Sequence, residues 1–269
     1  MRYNAQKRIS MKQKTNMKEK LRRQELCIGT HVSLGEGLVS EMMGYLDYDY
    51  LWIDMEHSCI NLAQLQNHLM GARASGINAI VRIPWNDAVL AKPVMDAGAD
   101  GIICPMIHSY EEALMAVEAT SYPPRGVRGY GPRRAYMFGE IDNDEYLANA
   151  DENLMRFIQL EHIGAIQDLD RILTIKEIDA FIFGPNDLSG SLGKLGHTQD
   201  ADIRRIIDDA IGKICAAGRV AGVSLGSADE ETIRDWYDRG VRMISTGFDV
   251  SYIMDGARAN LAAMRRACR

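Results

Sequence analysis

A chain of 269 residues, 46% of them hydrophobic, holds enough apolar material for one large core, and a 25% share of charged residues keeps it out of the disordered class. The net charge of −6 argues against nucleic acid as a general partner, and no run of about 18 apolar residues is available to span a membrane. Five cysteines, odd in number, scattered and without a CxxC pair, fit the reduced thiols of a cytoplasmic protein.

Residues 1–23 carry Arg2, Lys7, Arg8, Lys12, Lys14, Lys18, Lys20, Arg22 and Arg23 against only Glu19. A targeting or RNA-binding arm is one reading. The segment lacks the apolar core of a signal peptide, and the expected form is a basic extension over 1–20, or the start of a first surface helix, with Met11 or Met17 as alternative starts. Residues 21–269 are expected to form one domain.

Eight short β-rich runs follow: Cys27–Val32, Tyr50–Asp54, Ala79–Ile83, Gly101–Pro105, Phe157–Glu161, Ala180–Phe183, Ala221–Leu225 and Arg242–Ser245. Helical periodicity fills the gaps between several of them, at Leu62–Ala74, Tyr110–Ala119, Ala165–Leu173 and Ile203–Ala217. Strands alternating with helices predict parallel βαβ units, and eight such units predict a closed (β/α)8 barrel. The runs are nearly continuous in apolar residues, as expected where both faces of a strand are covered. Phrases such as Ala97-Gly-Ala-Asp-Gly101 and Arg239-Gly-Val-Arg242 read as a helix end, a left-handed glycine and the start of the next strand. The longest interruption, residues 121–150, is arginine- and glycine-rich. It lacks the spacing and the preceding strand of a nucleotide fingerprint and is expected to be functional.

In such a barrel the chemistry sits at the C-terminal strand ends. The second strand ends in Asp54, Glu56 and His57; packing alone gives no reason for this cluster, although a solvated acidic loop is the plain alternative. The third strand carries Arg82. The fifth places Gln159 and Glu161 on one face by its two-residue period, and Asp187 follows the sixth. Glu161 and Asp187 are hard oxygen donors suited to Mg²⁺ or Mn²⁺; the alternative is a buried ion network with Arg82. His31 ends the first strand, where it can line the site, whereas His68, His108, His162 and His197 receive no role. Cys59, two residues beyond His57, reads as a small loop side chain before it reads as a nucleophile or ligand. No lysine falls in or at the end of a predicted strand, which argues against Schiff-base chemistry and for a metal as electron sink.

Trp52-Ile-Asp-Met-Glu-His57, Val81-Arg-Ile-Pro84, Gln159-Leu-Glu161, Gly184-Pro-Asn-Asp-Leu-Ser189 and Ser191-Leu-Gly193 occur in the order found in the HpcH/HpaI aldolase family. From about residue 20 onward the chain resembles these class II, metal-dependent pyruvate aldolases, which include those acting on 4-hydroxy-2-oxoheptanedioate and on 2-dehydro-3-deoxy sugar acids. Tyr122-Pro-Pro-Arg-Gly-Val-Arg-Gly129 is also similar to a family loop.

The resemblance implies a TIM barrel of the phosphoenolpyruvate/pyruvate-binding type that reversibly cleaves a 4-hydroxy-2-oxo acid to pyruvate and an aldehyde. Glu161 and Asp187 would hold a divalent ion, Mg²⁺ or Mn²⁺ and by extension Co²⁺, with no nucleotide cofactor. Arg82 would stabilise the enolate. His57, oriented by Asp54, would act as base, directly or through a water at the metal. Gln159 would hydrogen-bond near the metal and pyruvate, and backbone N–H groups at Asn186 and Asp187 would receive the pyruvate carboxylate. Asp96 is similar to an acid contributed from a neighbouring subunit. The family's last helix crosses a subunit interface, so a homo-oligomer, hexamer or trimer, is implied.

The chain departs from the family pattern at Ser58-Cys-Ile-Asn61, at Asn186 and in the added arginines Arg133 and Arg134. The arginines would favour an acidic or phosphorylated aldehyde, or else an intersubunit salt bridge. Two further readings stand: another enolate-type lyase on the same barrel, of the citrate-lyase or phosphoenolpyruvate mutase kind, and a non-catalytic barrel that binds small acids.

Overall fold

In the computed structural model, residues 16–268 are described. The strands β1 (Cys27–Val32), β2 (Tyr50–Asp54), β3 (Asn78–Arg82), β4 (Gly101–Cys104), β5 (Met155–Leu160), β6 (Ala180–Phe183), β7 (Ala221–Leu225) and β8 (Met243–Phe248) form a closed barrel in sequence order. Each pairs in parallel with the next, and β8 closes on β1. The helices are α1 (Met17–Arg22), α2 (Gly37–Gly44), α3 (Leu62–Ser75), α4 (Ala88–Asp96), α5 (Tyr110–Thr120), α6 (Asn143–Asn153), α7 (Ile163–Gln167), α8 (Leu169–Ile172), α9 (Pro185–Ser191), α10 (Ala201–Ala216), α11 (Glu230–Asp238) and α12 (Asp249–Ala267).

Continuous apolar strands serve two separate cores. Leu51 and Ile53 of β2 and Phe181 and Phe183 of β6 face outward, against Leu65, Ile207, Ile211 and Trp236 of the helix layer. Tyr50, Trp52, Ile80, Ile103, Phe157 and Ile182 point into the barrel instead. Met17 and Leu21 of α1 join this inner cluster and close the N-terminal end of the barrel. The basic segment from Met17 onward is therefore part of the barrel's closure; of the stretch 1–20 expected as an extension or the start of a first helix, residues 1–15 lie outside the described residues.

Along the inward faces the lining changes from apolar to polar towards the C-terminal strand ends. On β2 the order is Tyr50, Trp52, Asp54; from β5 it is Phe157, Gln159, Glu161. The period of two does this directly.

The arginine-rich interruption lies at the other end. Residues 121–142 run from the end of α5 to α6, beside the starts of β4 and β5. The Arg156 guanidinium donates to the carbonyl of Thr120 and to Ser121 Oγ, and Arg134 Nη1 donates to the Ala97 carbonyl at 2.5 Å. Within one chain these arginines do not reach the strand ends that carry the catalytic candidates. Arg128 is spent on Asp96, at 2.9 Å, and on the face of Tyr122. The stretch expected as one helix over Ala165–Leu173 is two short helices, α7 and α8, that meet at Asp168.

Candidate active site

Arg82 organises one half of the rim. The β2–β3 register sets Asp54 directly beside it, so the two side chains share the inward face. Arg82 Nε donates to Asp54 Oδ1 at 3.0 Å and Nη2 to Oδ2 at 2.5 Å, a two-pronged pair. Nη1 lies 2.9 Å from Glu56 Oε2 and donates to Gln159 Oε1 at 3.4 Å, while the guanidinium sits over the Trp52 ring. Asp54 Oδ1 also accepts the backbone N–H groups of Glu56 and His57. Burial opposes charge on Asp54, but Arg82 and those two amides outweigh it and hold the carboxyl below its ordinary range.

This geometry corrects one expectation. Asp54 sets the backbone of His57 while its carboxylate serves Arg82. The carboxylate near the imidazole belongs to Glu56, whose Oε2 is 3.7 Å from His57 Nε2. Glu56, the member of the cluster with the least defined role in sequence, bridges the base candidate and the guanidinium. Burial pushes its carboxyl upward, against the pull of Arg82 and His57. The His57 side chain is 65% exposed, within reach of an incoming molecule. Ser58, a departure from the family, closes this loop: its hydroxyl donates to the Asp54 carbonyl and accepts from Ile60 N–H. Asn61 caps α3, with Gln64 completing a reciprocal capping box.

The other half of the rim is a carboxylate pair. Glu161 is 2% exposed; Oε1 accepts the Met106 amide at 2.6 Å and Oε2 accepts Gln159 Nε2 at 2.8 Å. Burial pushes its carboxyl up to about 7, with Glu56 and Asp187 adding like charge. Gly184 is required here by proximity: a Cβ on it would lie 2.5 Å from Glu161 Oε2. Asp187 and Asn186 sit exposed in the first turn of α9, just past β6.

A buried carboxylate that resists ionisation beside two other carboxylates is an environment a cation would relieve. Two protein oxygens are also what Mg²⁺ or Mn²⁺ require when substrate and water fill the remaining positions. Among the described residues no group of three or more His, Cys, Asp or Glu forms a closed metal cage. The donor set thus fits an open, exchangeable site and not a structural one.

Asp96 ends α4, at the end of the barrel opposite to this rim, where Arg128 pairs with it. It is absent from its own chain's site. His31 does line the barrel interior: Nδ1 is 2.9 Å from the Gly247 carbonyl, Nε2 is 2.9 Å from Ser224 Oγ, and its ring packs on Trp52. Burial lowers its pKa. Sequence reasoning missed Met106, because a backbone amide leaves no signature in side-chain identity. The assignment of Asp54 to Arg82 needed the β2–β3 register.

A parallel eight-stranded barrel with acid, base and guanidinium groups gathered at its C-terminal rim defines a (β/α)8 enzyme scaffold. The family model described as HpcH/HpaI aldolase/citrate lyase matches residues 28–255. A hydroxypyruvate/pyruvate aldolase of Roseovarius nubinhibens is 34% identical over 90% of this chain and 93% of its own length. A 4-hydroxy-2-oxo-heptane-1,7-dioate aldolase of Klebsiella pneumoniae is 31% identical over 86% of this chain and 87% of its own. The crystal structure of a HpcH/HpaI aldolase/citrate lyase family protein from Burkholderia cenocepacia J2315 superposes with a TM-score of 0.86. It is 29% identical and covers 93% of this chain and 98% of that one. The chain belongs to the HpcH/HpaI aldolase/citrate lyase family.

Proposed function

We propose that the chain is a divalent-metal-dependent aldolase that reversibly cleaves a 4-hydroxy-2-oxo acid to pyruvate and an aldehyde. The observation that carries this reading is the single rim on which Glu161 and Asp187 stand beside Arg82, with His57 exposed next to them. The names of the relatives, pyruvate and hydroxy-oxo acid aldolases, support it.

Cleavage needs a base for the C4 hydroxyl and a sink for the electrons released as the C3–C4 bond breaks. His57 takes the hydroxyl proton, and Glu56 stabilises the imidazolium that results. The electron pair moves to the keto oxygen of the pyruvate half, where Arg82 holds positive charge fixed by Asp54 before the reaction begins. Glu161 and Asp187 would hold a divalent ion, which would supply Lewis acidity to the pyruvate half when bound. Gln159 hydrogen-bonds beside Glu161 and Arg82. The amides of Asn186 and Asp187, in the first turn of α9, would receive the pyruvate carboxylate. In the reverse direction His57 returns the proton to the new hydroxyl.

The working form is proposed to be a homo-oligomer in the cytoplasm. From Tyr252 to Cys268 every position of α12 and its cap is exposed, including Ile253, Met254, Leu261 and Met264. An apolar face of this kind is covered by another surface. The five cysteines are free, and no helix among the described residues is long and apolar enough to cross a membrane.

Exchange of the pyruvate methyl protons in D₂O tests the function without knowledge of the aldehyde. Parent protein with Mn²⁺ or Mg²⁺ exchanges them and Glu161→Ala does not. Full exchange in Glu161→Ala would sink the metal assignment, and no exchange in the parent would sink the aldolase reading.

A further inference from the structure

We propose that Met106 is a positioning residue: its left-handed backbone aims its amide at Glu161 and sets the direction in which that carboxylate faces the barrel mouth. The inference rests on reading Glu161 as the carboxylate that receives the divalent ion.

Met106 has φ of 53°, a conformation that residues with a Cβ rarely adopt. The chain arrives there from β4 through Pro105, which has no N–H to extend the ladder along β5. Released from the sheet, residue 106 turns inward and places its N–H 2.6 Å from Glu161 Oε1. The opposite oxygen accepts from Gln159 Nε2, and the missing side chain of Gly184 leaves the space that this oxygen fills. Two donors, one after β4 and one on β5, thus hold the side chain, one on each oxygen.

Backbone strain persists only where the surroundings over-determine it. Here they do so two residues downstream. His108 N–H donates to Glu112 Oε2 at 2.7 Å, and the His108 ring stacks on His162 with centroids 4.1 Å apart. The His108 carbonyl packs so closely on Gly164 that a Cβ there would lie 2.5 Å from it. His108 and His162, two of the four histidines to which sequence gave no role, are therefore the brace of the turn that aims Met106. His162 directly follows Glu161, so the brace adjoins the carboxylate in the chain.

The test separates backbone conformation from side-chain volume. Met106→Ile keeps the apolar bulk but cannot hold a positive φ, whereas Met106→Gly loses the bulk and holds it freely. Mn²⁺ affinity of the full-length protein, read by calorimetry, is expected to fall about tenfold or more in Met106→Ile, in the range of supporting-residue losses at metal sites. Met106→Gly is expected to stay within about threefold of the parent. Parent-like affinity in Met106→Ile, or an equal loss in Met106→Gly, overturns the proposal.

A second measurement needs neither metal nor the isoleucine variant. Residue-resolved hydrogen exchange of the Met106 amide, in metal-free protein labelled at methionine, is expected to be slow in the parent and faster in Glu161→Ala. Equal rates overturn the proposal. A parent that binds no Mn²⁺ refutes the metal reading, and the exchange comparison still decides the role of Met106.

Discussion

The Arg82 guanidinium stands among Asp54, Glu56 and Gln159, and the groups around it adjust to its positive charge. Asp54 ionises readily beside it, and Glu56 is drawn to it from the loop. Arg82→Lys keeps the charge and loses the planar fork. The expected outcome is a fall in kcat of about 10²–10³, the cost of removing one donor to a developing oxyanion, with KM for pyruvate much less affected. Steady-state kinetics checks it. Glu161 is the opposite case, a buried carboxyl raised from 4.5 to about 7. A raised carboxyl contributes stability below its unfolded pKa and loses that contribution as pH climbs through the folded value. The gap corresponds to about 3 kcal/mol lost between roughly pH 4.5 and 7 in metal-free protein. In EDTA at pH 8, Glu161→Gln is expected to melt above the parent, with the difference vanishing near pH 4. Added Mn²⁺ should raise the parent's transition and leave the variant's unmoved. Melting curves across that pH range test both statements.

Strands were the most legible elements, because burial on both faces leaves nearly continuous apolar runs. β1, β2, β6 and β7 begin and end where the sequence predicts. β5 starts two residues earlier, at Met155, since pairing with Gly101 extends it beyond its most apolar part. β8 continues to Phe248 because β1 offers His31 as a partner across an irregular register. The strand-end candidates Asp54, Arg82, Gln159 and Glu161 all fall on one rim, for the period of two makes an inward face predictable. Which of them pair was not legible, since register is a property of two strands. Asn61 shows a departure from family pattern explained by local structure alone. Asn61→Ala should cost about 1 kcal/mol through the lost cap of α3, with Mn²⁺ affinity unchanged, by denaturant titration and calorimetry. Gly184→Ala should do the reverse: fold retained, methyl exchange lost about 10²-fold or more, because a Cβ displaces Glu161.

At the scale of the molecule, α12 stands apart. Its start is anchored: Asp249 accepts the amides of Ser33 and Leu34, and Tyr252 Oη lies 2.7 Å from Thr30 Oγ1. Beyond that the helix presents Met254, Leu261 and Met264 to solvent. Sedimentation of the parent is expected to show a species well above the 30.0 kDa chain. Leu261→Asp with Met264→Asp should shift it towards smaller species. A monomeric parent would leave the exposed face unexplained and the oligomer proposal without support.

Taken alone, the amino-acid order determined the barrel, the polarity of its rim and the family, because strand burial, side-chain period and motif order are local or one-dimensional properties. Tertiary structure decided the rest. It gave Asp54 to Arg82 and Glu56 to His57, moved the arginine-rich loop to the opposite end, and turned the Met106 amide onto Glu161. Each of these depends on how separate segments lie across one another, and neither composition nor spacing encodes that distance.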